Sequence, residues 1–203
     1  MKPTFYLDLD RTIFHTERVD QLFLVLERLY PENAALRDGY ARRAKYFVFP
    51  HLDDGDEKTY YYDLARQLSD AGLNLDEAFA ALRTELGDGR LEFEGAFGLV
   101  QALKGFGTVK ILTYGEDAYQ KFKASLCPSV AGLEVLTTVE PKVEYLNAHA
   151  KTGDWIIDDK VISGLNPEVR AVHIQHDAEK PADAHSLSEA ADFISRRMPY
   201  QQG

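Results

Sequence analysis

The amino-acid sequence predicts an α/β fold in which a parallel sheet is wrapped by helices and interrupted once by an all-helical insertion. From residue 92 onward, apolar runs of strand length alternate with helical stretches, which is typical of a parallel sheet. Residues 15–90 break this alternation and show helical spacing only. With 203 residues, of which 45% are hydrophobic, the chain is large enough for one domain that carries such an insertion.

Five runs have the length and composition of buried strands. They are residues 4–9, 108–115, 134–139, 154–158 and 171–175. Helical stretches occupy residues 95–105, 116–126, 142–151 and 186–197. Because helices separate most successive strands, we expect the strands to run parallel, with their carboxyl ends at one edge of the sheet.

The insertion is expected to contain four helices and no strong strand. The stretch TERVDQLFLVLERLY carries apolar residues at helical spacing, and Pro31 stands where a proline can open the next helix. Two more helical stretches follow, and each ends near a glycine. We therefore expect an α/β core formed by residues 1–14 and 92–203, and a four-helix domain formed by residues 15–91.

Charge and cysteine content exclude several classes of protein. The 33 acidic and 23 basic residues give a net charge of −10, which argues against a nucleic-acid or anionic-membrane surface. No apolar run approaches the roughly 18 residues of a membrane span, and no signal peptide is visible. The single cysteine, Cys127, excludes an internal disulfide or a cysteine zinc cluster. We expect a cytoplasmic location, and both a monomer and a homodimer stay open.

Acidic residues stand at the ends of two predicted strands. Asp8 and Asp10 are two residues apart at the end of the first strand, so they should point the same way. Asp158 and Asp159 follow the apolar run WII. Ligands of open α/β sheets bind at this carboxyl edge, and four converging carboxylates would repel one another without a cation. Hard oxygen ligands with room for water and substrate favour Mg²⁺.

Two further strand ends carry residues that suit an anion. Thr113 offers a hydroxyl, and Tyr114 and Gly115 offer backbone N–H groups near the start of a helix. The alternative for Thr113 is that it caps that helix. Lys142 opens the helix after the strand 134–139, where a lysine opposes the helix dipole and so indicates an anionic neighbour. The alternative for Lys142 is an ordinary surface lysine.

Taken in chain order, these pieces resemble the four motifs of the haloacid dehalogenase (HAD) superfamily of phosphohydrolases. The motifs are matched by DLDRT, ILTYG, Lys142 and IIDD, and the resemblance covers nearly the whole chain. It implies a Rossmann-like core with a helical cap, inserted after the first motif, that covers the site and selects the substrate. Arg11 departs from the pattern, because the family often has glycine there.

The resemblance implies a role for the residues of the first motif and for the phosphate site. Asp8 would be the nucleophile and would form an aspartyl-phosphate. Asp10 would act first as general acid and then as general base. Thr113 and the backbone N–H of Tyr114 would hold phosphoryl oxygens, with Gly115 in the same substrate-binding loop.

The resemblance also implies a metal site and a neutralising lysine. Lys142 would offset the negative charge of the nucleophile and the phosphate. The Mg²⁺ site would be formed by Asp8, Asp10 through its backbone carbonyl, and the pair Asp158 and Asp159. Whether one or both members of that pair touch the metal stays open.

The function implied by the resemblance is a Mg²⁺-dependent phosphomonoesterase that acts on a small phosphorylated metabolite. The acid at Asp10 favours phosphate chemistry over carbon–halogen chemistry, because dehalogenating relatives lack it. One alternative is a phosphomutase or a phosphonate-cleaving relative, the latter needing a cap lysine, for which Lys45 and Lys58 are available. Another is a non-catalytic module that binds a phosphate or a nucleotide. The sequence does not name the substrate.

Three consecutive tyrosines stand inside the insertion, in the stretch TYYYDL. Consecutive residues cannot all share one helix face. We therefore expect at least one of these tyrosines to be exposed or to face a pocket.

Overall fold

A five-stranded parallel sheet lies at the centre of the protein. This computed structural model describes residues 2–36, 43–50 and 59–198. The described strands are β1 (Thr4–Leu7), β2 (Phe47–Val48), β3 (Tyr61–Tyr62), β4 (Thr108–Tyr114), β5 (Glu134–Thr138), β6 (Trp155–Asp158) and β7 (Arg170–His173). The central sheet has the order β5-β4-β1-β6-β7, and each neighbouring pair is parallel. This confirms the predicted fold class of the core.

Seven α-helices lie in the described residues. They are α1 (Asp20–Leu29), α2 (Leu64–Asp70), α3 (Leu75–Leu86), α4 (Ala96–Phe106), α5 (Asp117–Ser125), α6 (Lys142–His149) and α7 (Leu187–Ser195). The last four correspond to the helical stretches predicted between and after the strands. None of the helices described here has both the length and the apolar character that a membrane crossing requires.

The central strands are apolar along their length because both faces of the sheet are covered. Phe5 and Leu7 of β1 belong to the large core cluster on one face, together with Trp155. Tyr6, between them, packs on the other face with Leu146 of α6. β1 lies between β4 and β6, so the residues that follow β1 emerge in the middle of the carboxyl edge.

The insertion leaves the sheet and returns to it through two adjacent segments. The backbone N–H of His15 donates to the carbonyl of Leu91 at 2.8 Å, and the N–H of Phe93 donates to the carbonyl of Ile13 at 2.8 Å. An isolated antiparallel bridge between Phe14 and residue 92 lies between these bonds. The predicted domain boundaries at 14 and 92 fall at this pair of segments and stay predictions.

The insertion is joined to the core by packed aromatic rings as well as by its two connecting segments. Phe79 of α3 stacks on Phe122 of α5, with ring centroids 4.2 Å apart and planes 7° from parallel. Both residues belong to the large hydrophobic cluster that also contains the sheet. This contact places α3 against the helix that follows β4.

A short antiparallel ladder inside the insertion differs from the prediction of four helices and no strong strand. β2 pairs with β3, Phe47 opposite Tyr62 and Val48 opposite Tyr61. The stretch TYYYDL was expected to be helical, but α2 begins only after it, where Asp63 caps the helix by accepting from the N–H of Arg66 at 2.8 Å. Aromatic residues favour strands, and cross-strand aromatic pairs stabilise the ladder.

The helix predicted to open at Pro31 is described only in part. Arg43–Tyr46 forms a 3-10 helix that leads into β2, and residues 37–42 lie outside the described residues. The prediction of four helices in the insertion therefore stays a prediction.

Candidate active site

The predicted site residues meet at the carboxyl edge of the sheet. Asp8 follows β1, Thr113 lies near the end of β4, and Asp158 ends β6. Lys142 is the first residue of α6, directly after the loop that follows β5. A cavity of about 710 Å³ opens at this edge. Every predicted site residue except Gly115 lines this cavity. The predicted residues among those that line it are Asp8, Asp10, Thr113, Tyr114, Lys142, Asp158 and Asp159.

Asp8 is buried and held at both carboxylate oxygens. The Nζ of Lys142 forms an ion pair with Oδ1 of Asp8, and the hydroxyl of Thr12 donates to Oδ2 at 3.0 Å. The same Lys142 Nζ lies 2.7 Å from Oδ2 of Asp158. Lys142 is therefore not an ordinary surface lysine, because it bridges two buried carboxylates from neighbouring strands.

Three carboxylates form a cluster that could hold a metal ion. One oxygen from each of Asp8, Asp158 and Asp159 lies within 4.8 Å of the others. Burial raises the pKa of Asp8 to about 8, with Lys142 opposing the rise and the two other acids adding to it. Burial and then Asp158 raise the pKa of Asp159 to about 6. The cluster thus holds more negative charge than Lys142 balances, and its oxygen donors suit a hard divalent cation.

The turn that carries the second acidic pair is fixed by its own hydrogen bonds. The backbone N–H of Lys160 donates to Oδ1 of Asp158 at 2.9 Å. The carbonyl of Asp159 accepts from the side-chain amide of Gln175 and lies 3.1 Å from Nε2 of His173. These contacts hold the carboxylate of Asp158 and the backbone of Asp159 in place at the end of β6.

Asp10 lies in the same cavity but outside this cluster, in a different charge environment. Its carboxylate forms an ion pair with Lys123, whose Nζ is 2.6 Å from Oδ1, and accepts from the hydroxyl of Thr16 at 3.0 Å. Burial raises the pKa of Asp10, but the charge and hydrogen bonds of Lys123 outweigh burial and hold that pKa below its usual value.

Lys123 is a residue of the candidate site that the sequence interpretation missed. Its side chain is only 5% exposed. Its Nζ lies 4.8 Å from the ring centroid of Tyr119, one turn earlier on α5, and 5.7 Å from that of Phe14. The signal in the sequence is a lysine four residues after a tyrosine, on the stripe of α5 that faces the core.

Thr113 does not cap α5, so that alternative is wrong. Glu116 caps the helix by accepting from the N–H groups of Ala118 and Tyr119 at 2.8 Å. The hydroxyl of Thr113 is buried and donates to Oε1 of Gln120 at 3.0 Å. The amide of the same Gln120 donates to the carbonyl of Tyr114 at 2.7 Å, which fixes the loop after β4.

At two loop positions the backbone has a positive φ angle. Gly115 has φ 140°, and a Cβ at this position would overlap the Nε2 atom of Gln120. Arg11 has φ 61° in the left-handed region, where glycine is favoured. This conformation suits the glycine that the resembled pattern often has at this position, and Arg11 adopts it despite its Cβ. Its guanidinium lies 3.3 Å from Glu17 at the cavity wall.

Comparison with solved structures identifies the architecture. A haloacid dehalogenase-like hydrolase from Burkholderia xenovorans LB400 matches with a TM-score of 0.57 and 18% identity, over 95% of this chain and 97% of that one. One from Xanthomonas campestris matches with a TM-score of 0.52 and 13% identity, over 96% and 91%. The chain has the haloacid dehalogenase fold.

A third structure with this fold carries a metal. The HAD-hydrolase YfnB from Bacillus subtilis, bound to magnesium, matches with a TM-score of 0.50 and 15% identity, over 95% of this chain and 98% of that one. No protein-family model matches the sequence, and no curated protein matches it. At these identities the similarity shows the fold alone.

Proposed function

We propose that this protein is a divalent-metal-dependent phosphomonoesterase that hydrolyses a small phosphorylated metabolite through an aspartyl-phosphate on Asp8. The observation that carries the proposal is the pair Asp8 and Asp10 in one cavity, each paired with its own lysine. One acid is needed to attack phosphorus and a second to move protons. A dehalogenase needs no second acid, so Asp10 favours phosphate as the substrate group.

In the first half of the proposed reaction, an Asp8 oxygen bonds to phosphorus while the bond from phosphorus to the leaving oxygen breaks. Asp10, in its protonated form, gives its proton to that leaving oxygen. In the second half, water attacks the phosphorus, Asp10 accepts the proton of that water, and the bond to Asp8 breaks. The Lys123 ion pair supports the second role, because it favours the carboxylate form of Asp10, and it opposes the first role, which needs the protonated form.

Cations and hydrogen-bond donors would bind the phosphoryl group. Lys142 already contacts Asp8 and Asp158, so it lies where nucleophile and phosphate charge would combine. Thr113 would donate to a phosphoryl oxygen only after its hydroxyl turns away from Gln120, its present acceptor. The backbone N–H of Tyr114 is the proposed second donor.

The carboxylates of Asp8, Asp158 and Asp159 fit a divalent cation, and we propose Mg²⁺ because a structure with this fold is bound to it. The ion would neutralise charge on the transferring phosphoryl group. The carboxylate of Asp10 lies outside this set, and we propose that Asp10 would contribute its backbone carbonyl instead.

Phosphonate cleavage through a cap lysine is less well supported. Lys45 is an exposed residue that pairs with Asp70 at 3.1 Å and does not line the cavity. The bond with Asp70 raises the pKa of Lys45, which is the wrong direction for a Schiff-base lysine. Lys58, the other candidate, lies outside the described residues.

The test is phosphate release from a panel of sugar phosphates, nucleotides, small phosphorylated acids and 4-nitrophenyl phosphate. Each substrate is assayed with Mg²⁺ and with EDTA. We expect Mg²⁺-dependent release from one or a few members, and none from the near-isosteric Asp8→Asn variant with unchanged circular dichroism. Wild-type activity in Asp8→Asn would overturn the assignment of the nucleophile. No release from any member would favour the mutase or the binding module.

A further inference from the structure

We infer that the substrate carries a planar aromatic ring in its leaving group, and that aromatic side chains of the insertion recognise this ring. The inference rests on the proposed phosphatase function and narrows its substrate to a chemical class. It concerns four residues of β2, β3 and the adjoining loop, called here the aromatic wall: Phe47, Tyr60, Tyr61 and Tyr62. All four line the cavity that holds Asp8 and Asp10.

The ladder between β2 and β3 builds this wall. Because Phe47 is paired with Tyr62, their rings come together with centroids 5.6 Å apart. Tyr60 meets Phe47 edge to face, at 5.1 Å and 84°. Backbone pairing therefore holds the rings of Phe47, Tyr60 and Tyr62 together, whereas Tyr61 projects from the other face of the ladder. The sequence had predicted that at least one of these tyrosines is exposed or faces a pocket.

The aromatic wall meets the core beside the proposed phosphate site. Tyr61 lies edge-on to Tyr114, with centroids 6.1 Å apart. Tyr62 lies edge-on to Tyr119 of α5, at 5.8 Å. Tyr114 is the residue whose N–H is proposed to hold a phosphoryl oxygen. A group bonded to a phosphate at this site and directed toward the insertion would therefore meet aromatic rings.

The exposure of Tyr60 supports a ligand on this side of the cavity. Tyr60 is 50% exposed even though the rings of Phe47 and Phe49 lie 5.1 and 5.5 Å from its own, centroid to centroid. An aromatic side chain at a cavity, with part of its surface still exposed, can stack on a planar ring whatever substituents that ring carries.

Three of the four described cations that line the cavity already have carboxylate partners. Lys123 is paired with Asp10, Lys142 with two carboxylates, and Arg11 with Glu17. The fourth, Lys160, is exposed beside Asp159. A second phosphate or a carboxylate on the substrate would have to compete with the partners of the first three. Stacking on the aromatic wall needs no such exchange.

The first test compares substrates that share a leaving oxygen and differ in the ring. Uridine and adenosine 5′-monophosphates share their primary alkyl phosphate with ribose 5-phosphate, which lacks the base. Benzyl phosphate is compared with cyclohexylmethyl phosphate, which has a ring that is not planar. We expect kcat/KM to be at least about tenfold higher for the aromatic member, the scale of base–aromatic stacking. A preference within both pairs indicates general ring recognition, whereas a preference for the nucleotides alone identifies a nucleoside.

The second test removes rings from the wall. Tyr60→Leu and Tyr61→Leu should each lower kcat/KM for the preferred aromatic ester about tenfold and leave ribose 5-phosphate within about twofold. Phe97→Leu is the matched control, because Phe97 is 65% exposed on α4 and does not line the cavity. Equal losses for aromatic and ring-free substrates would overturn the inference.

A binding measurement separates failure of this inference from failure of the proposed function. Calorimetric titration of the Asp8→Asn variant with Mg²⁺ and each ester needs no turnover. We expect a Kd at least about tenfold lower for the nucleotide than for ribose 5-phosphate. Phosphate release with equal kcat/KM and equal Kd within both pairs would overturn ring recognition alone. Absence of release from every ester, together with selective binding of the aromatic members, would overturn the hydrolase proposal alone.

Discussion

Asp8 and Asp10 are separated by one residue, yet the pocket around Asp8 has an excess of negative charge and the pocket around Asp10 does not. The Asp8 pocket contains three carboxylates, from Asp8, Asp158 and Asp159, around one lysine, Lys142. The Asp10 pocket contains one carboxylate and one lysine, Lys123. The pKa of Asp8 is raised and that of Asp10 is lowered, although both side chains face the same cavity.

Because of this difference, we expect the Asp8 pocket to need a metal ion and the Asp10 pocket to suit a proton carrier. The Asp8 pocket has an excess of negative charge that a divalent cation would balance. The Asp10 pocket is neutral without one, so its carboxylate can be held in position whether or not a metal is bound. Two acids at a spacing of two residues can therefore serve different steps, because each is stabilised by a lysine from a different helix.

The largest expected effect that tests this division is the Asp10→Asn substitution. An amide cannot accept the proton of the attacking water, so we expect kcat to fall about 10²- to 10⁴-fold. With 4-nitrophenyl phosphate, whose leaving group needs no proton, Asp8 should still be phosphorylated. Rapid-mixing experiments should then show a burst of about one nitrophenolate per protein molecule, followed by slow turnover.

Asp8→Asn is the comparison for this experiment, and it should give neither burst nor turnover. A burst in Asp8→Asn, or the absence of one in a folded Asp10→Asn protein that still turns over slowly, would contradict the division of roles between the two pockets.

A smaller effect is expected when the Asp10 pocket loses its lysine. Lys123→Met keeps most of the buried stem but removes the ion pair with Asp10, leaving only the bond from Thr16. Hydrogen bonds to charged groups contribute about 1.5–3 kcal/mol, so we expect kcat to fall roughly 10- to 100-fold. KM for the phosphate ester should change little, because Lys142 supplies the charge at the proposed phosphate site.

Lys121→Met is the matched control on the same helix. Lys121 is exposed and pairs with Asp117 at 2.8 Å, so its loss should leave kcat unchanged. Thermal unfolding of both variants separates a loss of catalysis from a loss of folded protein. If kcat of Lys123→Met equalled that of Lys121→Met, Lys123 would have only a structural role.

The two lysines also show what the sequence could and could not reveal. Lys142 could be predicted as a site residue because it opens a helix, where a lysine opposes the helix dipole, and because it stands between recognisable strand ends. Lys123 lies in the middle of α5, where a lysine is normally solvated. Its burial depends on how α5 packs at the carboxyl edge beside Asp10, and the spacing of four residues from Tyr119 does not by itself give that packing.

The fold also has one part that could be predicted from the sequence and one part that could not. The parallel core was predictable because strands covered on both faces are continuous apolar runs, and helices separate most of them. The ladder in the insertion was not predictable, because Tyr61 and Tyr62 directly precede the helical stretch of α2 and share its apolar character. What decides their strand conformation is pairing with Phe47 and Val48, which lie more than ten residues away in sequence.

The smallest effects should come from two threonines, one in each pocket. Thr12 donates to Asp8 and Thr16 donates to Asp10, each at 3.0 Å. Thr12→Val should lower kcat/KM about fivefold to tenfold, because Asp8 loses a neutral donor in a pocket with excess negative charge. Thr16→Val should cost about twofold, since Lys123 still holds Asp10. Steady-state kinetics of the two near-isosteric variants make the comparison, and a larger loss in Thr16→Val would mean that the Asp10 carboxylate depends on Thr16 more than on its ion pair.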